Sequence, residues 1–185
     1  MGDAADLPDL ETARLLLRPR TLDDLDACLA MDMDAEVGRY LYPDGRPTRE
    51  QRHQQLLAQM ADGGGGGRGS FWTVRWRQEP EFLGWCGLFP LEQSGLVEIG
   101  YRYVTATWGR GVATEAAARV LDFGFLERRL DPIVAVTHPD NLASQRVLAK
   151  IGLRAEGRRF HYGLDLAFFS LARADYFSMK DRPMS

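Results

Sequence analysis

Three strand-like runs set close together, then one long helical run, then a short β-branched run: this order leaves the chain few folds. Residues 71–77, 82–89 and 96–104 are rich in aromatic and branched side chains, and turn-forming stretches at 78–80 and 92–95 part them. Breaks this short reverse the chain, so each run pairs antiparallel with the next. The third run alternates, with Val97, Ile99, Tyr101 and Tyr103 on one side. A helix follows at about 110–128, where Val112, Ala116, Val120, Leu121 and Phe125 form an apolar stripe at helical spacing. Residues 133–137 are then a short β-branched strand. A helix between two strands is the crossover that parallel pairing requires. The prediction is an α/β fold: a hairpin meander feeding one β-α-β unit, giving a mixed sheet with helices on its faces.

The flanking sequence completes this outline. Residues 1–9 read as a loose tail and 10–18 as a first strand ended by Pro19. Thr21 is placed to cap a helix with Asp23 and Asp24 in its first turn, and Leu22, Leu25, Leu29 and Met33 recur at helical spacing. Pro43, Asp44, Gly45 and Pro47 mark a loop. Thr48 and Gln51 have capping-box spacing and open a helix to about Asp62. The run Gly63–Gly67 is a flexible connection rather than a phosphate loop, because Gly69 leads into the strand-like Ser70, Phe71 and Trp72 with no Lys. Past the crossover, 141–151 reads as a helix closed by Gly152, and 155–162 and 164–172 as two strands. Asp175 is placed to cap a short terminal helix. The outline is one domain over 10–180, with about seven strands.

Bulk properties narrow the function. A chain of 185 residues fits one domain, and a net charge of -3 argues against a nucleic-acid binder. Cys28 and Cys86 form neither a disulfide framework nor a metal-ligand pattern, and their apolar surroundings suit core residues. Neither an apolar leader core nor an apolar run of roughly 20 residues occurs, so a cytoplasmic protein that engages no membrane is expected.

The stretch Trp108-Gly109-Arg110-Gly111-Val112-Ala113-Thr114-Glu115 opens the long helix. A helix start presents unpaired N–H groups and partial positive charge, and two glycines let the backbone turn tightly and approach a ligand. Together these suit a pyrophosphate, with Arg110 at the rim. A glycine-containing turn before a helix is also an ordinary connection. A dinucleotide fold would place it early in a repeated β-α-β pattern, and a P-loop lysine is absent.

A second segment, His138-Pro139-Asp140-Asn141-Leu142-Ala143-Ser144 through Lys150-Ile151-Gly152-Leu153, follows the next strand. With Glu98-Ile99-Gly100-Tyr101, these segments resemble the Gcn5-related N-acetyltransferase (GNAT) superfamily. More narrowly they are similar to its Rim-type branch, the ribosomal-protein N-terminal acetyltransferases and their relatives. That branch reads roughly Glu-Ile-Gly-Tyr, Trp-Gly-x-Gly-x-Ala-Thr-Glu, His-Pro-x-Asn-x-x-Ser and Lys-x-Gly-Phe; here Leu153 replaces the final Phe. The resemblance runs from about Glu11 to about Tyr176.

The resemblance implies an acetyl-CoA-dependent N-acetyltransferase without a metal, acting on a primary amine as a monomer or homodimer. The acceptor it implies is a protein N-terminal α-amine, with a small amine second; a non-catalytic acyl-CoA-binding module is the rival. It implies that the loop from Trp108 through Thr114 holds the CoA pyrophosphate on the backbone of Gly109 to Ala113. The CoA arm would run between splayed parallel strands, paired to backbone groups of Tyr103 and Val104. Asn141 would contact that arm, though an N-cap role explains it equally. Ser144 would protonate the leaving thiolate, though a buried Ser commonly bonds its own helix. Glu98 would be the general base, since an amine attacks only when neutral; an exposed strand Glu is the plain alternative. A backbone N–H near Tyr103 would serve the oxyanion. Tyr162 and His161 are open to lining the acceptor cleft but read first as structural, Trp72, Trp76 and Trp85 as core, Phe168 and Phe169 as shaping the acceptor pocket, and Glu115 as a partner of the helix dipole.

Overall fold

The computed structural model describes residues 7–42, 45–61 and 69–181; the glycine run, Pro43, Asp44 and most of the tail lie outside them. The described strands are β1 (Leu10–Glu11), β2 (Leu15–Pro19), β3 (Ser70–Trp76), β4 (Phe82–Pro90), β5 (Val97–Tyr103), β6 (Ile133–Thr137), β7 (Arg154–His161) and β8 (Leu164–Leu171). The helices are α1 (Leu25–Asp32), α2 (Arg49–Met60), α3 (Val112–Asp122), α4 (Leu142–Lys150) and α5 (Arg173–Lys180). The strands form one sheet in the order β1-β2-β3-β4-β5-β6-β8-β7. Neighbours pair antiparallel except β5 with β6, which are parallel and joined by the α3 crossover.

Helices cover both faces, as the outline predicts. Trp72, Ile99, Val120, Phe125 and Tyr176 belong to the main core between the sheet and α3, α4 and α5. Cys28 and Leu29 of α1 meet Leu56 and Met60 of α2 over Phe82 and Trp85 on the opposite face. Both cysteines are fully buried. No helix among the described residues is long and apolar enough to cross a membrane.

Three local expectations change. The single strand at 10–18 is a tight hairpin, β1 against β2 with Leu10 opposite Leu17. The Thr12 hydroxyl accepts the Leu15 amide at 2.8 Å and turns the chain, a reversal that apolar alternation does not register. The first helix begins as a 3-10 turn at Leu22–Asp24, and Leu22 is 49% exposed. What the fold buries around α1 is charge. Asp24 takes Arg18 at 2.8 Å and Arg75 at 3.2 Å, and Asp32 takes Arg52 at 2.6 Å and also Arg102. Finally, α5 is capped at Ala172, and Asp175 sits in its first turn; Asp131 accepts the Arg173 amide at 2.9 Å.

At Gly84 the backbone of β5 lies close against β4. The glycine's φ is +148°, and a Cβ there would stand 2.1 Å from the Arg102 carbonyl oxygen and 2.7 Å from the Tyr103 Cα. Those are backbone atoms of the central strands and cannot step aside. Gly84→Ala is expected to cost about 3 kcal/mol or more, through steric overlap and an unfavourable φ, read as a lower urea midpoint at unchanged slope.

Candidate active site

The two parallel strands separate almost at once. β5 and β6 pair only at Val97 with Ile133 and Glu98 with Val134. Past those positions each strand stays bound on its outer edge, β5 to β4 as far as Tyr103 and β6 to β8 as far as Thr137. The result is a V-shaped gap with backbone groups along both walls. Bonds from the Val104 amide to Leu83 (3.0 Å) and from the Leu91 amide to Leu96 (2.9 Å) fix the alternation of β5. By that alternation Ile99, Tyr101 and Tyr103 turn their N–H and C=O groups into the gap. Of the two residues expected to hold the CoA arm, only Tyr103 faces it. The Val104 amide is held by Leu83, and its carbonyl accepts from the Thr107 amide at 3.0 Å. The Tyr103 carbonyl accepts from the Trp108 indole at 3.0 Å.

The glycine-containing loop ends in an open helix start. Gly109 and Gly111 have φ of +75° and +80°, and α3 begins directly after them, two residues later than the sequence outline placed it. The first intrahelical bond runs from the Glu115 amide to the Gly111 carbonyl at 3.0 Å. The amides of Gly111, Val112, Ala113 and Thr114 therefore lack intrahelical acceptors. Trp108 is half exposed. Arg110 lies over the Trp76 ring at 4.7 Å, and Arg14 donates to the Arg110 carbonyl at 3.1 Å. Glu115 accepts from the Thr12 hydroxyl at 2.6 Å and pairs with Arg14 at 2.7 Å. It ties the β1–β2 turn to the helix start, a role beyond the dipole contact expected of it.

Glu98 lies where the strands part. It is 5% exposed, so it is not a solvent-facing strand residue. Burial pushes its carboxyl up to about 7, against hydrogen bonds from the Tyr162 hydroxyl and the Val136 amide that favour the charged form. Tyr162 donates at 2.7 Å. That tyrosine stands at the β7–β8 turn with φ +53°, and Glu92 holds it by accepting its amide at 3.0 Å. The other Glu92 oxygen meets His161 at 2.8 Å. Tyr162 thus belongs to the site, contrary to its structural assignment from sequence. A Tyr-Gly pair between two strand-like runs signals the turn, but not what the ring reaches across it.

Ser144 faces the gap from the other side of the sheet. Its Oγ is 3.1 Å from the Tyr101 hydroxyl, and its amide donates to the Asn141 side-chain oxygen at 3.1 Å. Asn141 is therefore the N-cap of α4. Even-numbered β5 residues face α1 and α2, and odd-numbered ones face α3 and α4. Glu98 and the Tyr101–Ser144 pair stand on opposite faces, joined through the gap by a cleft of about 990 Å³. Trp85 lines this cleft and Trp72 is core. Phe168 and Phe169 are buried and do not themselves line it.

An acyl-CoA fits this arrangement on two counts: amides at a helix start suit its phosphates, and a strand gap suits its amide-bearing arm. The acetyltransferase (GNAT) domain family matches residues 14–154. The chain is 35% identical over 160 residues to the uncharacterized N-acetyltransferase YoaA of Bacillus subtilis, covering 84% of this chain and 89% of that one. A solved GNAT acetyltransferase from Bacillus anthracis superposes with a TM-score of 0.74 at 26% identity, over 90% of this chain and 99% of that one. A ribosomal-protein-S5-alanine acetyltransferase from Vibrio fischeri shares the fold, with a TM-score of 0.70 at 19% identity over 92% of this chain and 99% of that one. The open helix start, the parted strands and these relatives agree: the chain belongs to the GNAT family and is an acetyl-CoA-dependent N-acetyltransferase.

Proposed function

We propose that the enzyme acetylates a primary amine by direct transfer within a ternary complex, and that the amine is the N-terminal α-amine of a polypeptide. The observation that carries this is Glu98, a buried carboxyl with a pKa of about 7 at the point where the cleft crosses the sheet. An α-amine titrates near 7.7–8.0 and a lysine-type amine near 10.4. Moving a proton to a base at about 7 is thus uphill by about 1 kcal/mol from an α-amine and by more than about 4 kcal/mol from an alkylamine. Glu98 accepts the ammonium proton; Tyr162 and Val136 hold the carboxylate in place. The amides of Gly111 to Thr114 hold the CoA phosphates, with Arg14 and Arg110 beside them. When bound, acetyl-CoA supplies the activated acyl group. The Tyr103 amide faces the gap as a donor to the acyl oxygen. Ser144, in contact with Tyr101, is placed to give a proton to the departing sulfur.

Direct transfer is supported by the thiols. Burial pushes Cys28 up to about 12 and Cys86 higher still, so neither supplies a nucleophilic thiolate. Buried free thiols also suit a cytoplasmic setting. A small-molecule amine is the second reading, favoured by the cleft's volume of about 990 Å³, at the upper end of small-ligand pockets.

Thiol release from acetyl-CoA against peptides and small amines, with products weighed by mass spectrometry, tests the reading. CoA binding with no transfer to any amine would favour a non-catalytic module instead. kcat/KM for an α-amine is expected to rise with pH through an apparent pKa near 7. Glu98→Gln should abolish that limb and lower kcat by about 100-fold or more. Tyr162→Phe, lacking a hydrogen bond that favours the carboxylate, should move the limb to higher pH. Folding stability carries the same signature. The folded carboxyl titrates at about 7 against a reference of 4.5, so the native state binds more protons between those values. The contribution of Glu98 is therefore lost as pH rises from about 4.5 through 7, by up to about 3 kcal/mol, and urea unfolding of Glu98→Gln should lack that decline. Gly111→Asp, which forces a carboxylate and a disfavoured φ into the anion site, should raise the Kd for CoA by at least about tenfold by calorimetry.

A further inference from the structure

The face of the sheet beneath α1 and α2 carries a second polar end that amine acetylation does not use. Along β5, Glu98, Gly100 and Arg102 share this face. Glu98 and Arg102 are four residues apart, about 13 Å between Cα atoms at the rise of a strand. Between them the floor holds no β5 side chain. A Cβ on Gly100 would stand 2.7 Å from the Phe89 ring, and one on Gly87 would stand 2.8 Å from the Phe71 ring. Rings therefore lie across both glycines. Phe71 stacks on Phe89 at 5.2 Å and meets Trp85 edge-on at 5.6 Å. The cleft has an aromatic floor with a carboxyl at one end.

Guanidinium groups gather at the other end. Arg20, Arg52 and Arg102 all line the cleft. Arg20 is 4% exposed and lies over Phe71 at 4.2 Å. Arg102 lies over Trp85 at 5.6 Å. Arg102 and Arg52 both converge on buried Asp32, two cations against one anion. Asp24, on the same side, is engaged by Arg18 and Arg75, and both Asp24 and Asp32 also act on the Arg20 charge. Arg52 and Arg102, sunk into the cleft and sharing a single carboxylate, make a receptor for an anion, since such groups bind carboxylate and phosphate in a fixed fork.

We propose that this end of the cleft binds an anionic group of the acceptor, so that the substrate is an amine carrying a carboxylate or phosphate several bonds from the reacting nitrogen. The proposal rests on the amine-acetylation reading and narrows it. The amine meets Glu98, the intervening chain lies on the aromatic floor, and the acid meets Arg102 and Arg52. A polyamine would set a second cation against those guanidiniums, so this end selects against it.

The test compares kcat/KM for ω-amino acids of four to ten carbons with that for alkylamines and diamines of equal length. In parallel, tetrapeptide amides carrying Glu or Lys at the third position are compared. An acid acceptor should exceed its matched diamine by about tenfold or more. Preference for the Glu peptide identifies the source of the acid as an acidic polypeptide N-terminus; preference confined to the amino acids identifies a small molecule. Either supports the proposal. Arg102→Gln should collapse the acid-to-diamine ratio toward one, and Arg102→Lys should restore part of it. If Arg102→Gln fails to fold, stabilisation of the wild-type protein by N-acetyl-6-aminohexanoate but not by N-acetylhexylamine reads the same preference. Equal or reversed selectivity, or a ratio unmoved by Arg102→Gln, overturns the anion site while leaving amine acetylation intact. Failure to acetylate any amine despite CoA binding overturns the acetylation reading and this proposal with it.

Discussion

The parting of β5 from β6 after Glu98 and Val134 is the constraint on which the site depends. A β-sheet tolerates unpaired backbone in its middle only if something else satisfies it. Here each wall of the gap remains tied to its outer neighbour, so the opening is a fixed feature of the sheet. The free amide of Val136 is met by the Glu98 carboxyl, and the Tyr103 carbonyl by the Trp108 indole. The gap thus draws the carboxyl into the protein, and burial there raises its proton affinity. One geometric departure supplies an open groove with unpaired backbone, the position of the Glu98 carboxyl and its raised proton affinity.

The sheet's two faces are built by different forces. On the α3 side an apolar core dominates, with Phe125 stacked on Tyr176 at 4.6 Å and Trp72 edge-on to Phe123 at 5.0 Å. On the α1 and α2 side the apolar cluster is small, and the buried Asp24 and Asp32 fasten this layer to the strand residues Arg18, Arg75 and Arg102, with Asp32 also holding Arg52 of α2. Such buried pairs contribute little net stability but fix position, because removing one partner strands the other in low dielectric. The arrangement leaves that side rigid in its charges and sparse in its packing, which suits a surface that opens into a cleft.

Much of this was legible in sequence because it is written in local patterns. The Thr48–Gln51 capping box, the β-branched run 133–137 and the glycine after α4 each encode an element by near-neighbour chemistry, and each lies where that chemistry places it. The glycine-flanked start of α3 was legible for the same reason. Long-range contacts were not. Nothing near Tyr162 announces that its hydroxyl reaches Glu98, 64 residues away in sequence. Nothing near Asp32 announces a guanidinium from β5, and apolar periodicity in α1 drew attention to the exposed Leu22 instead. The hairpin at 10–17 is not legible in sequence because one threonine hydroxyl, not a change in hydrophobic rhythm, turns it.

The cleft passes through the sheet rather than into it, with Ser144 and Tyr101 at one mouth and Glu98 and Tyr162 at the other. A passage with two mouths lets two molecules meet head to head without sharing an entrance.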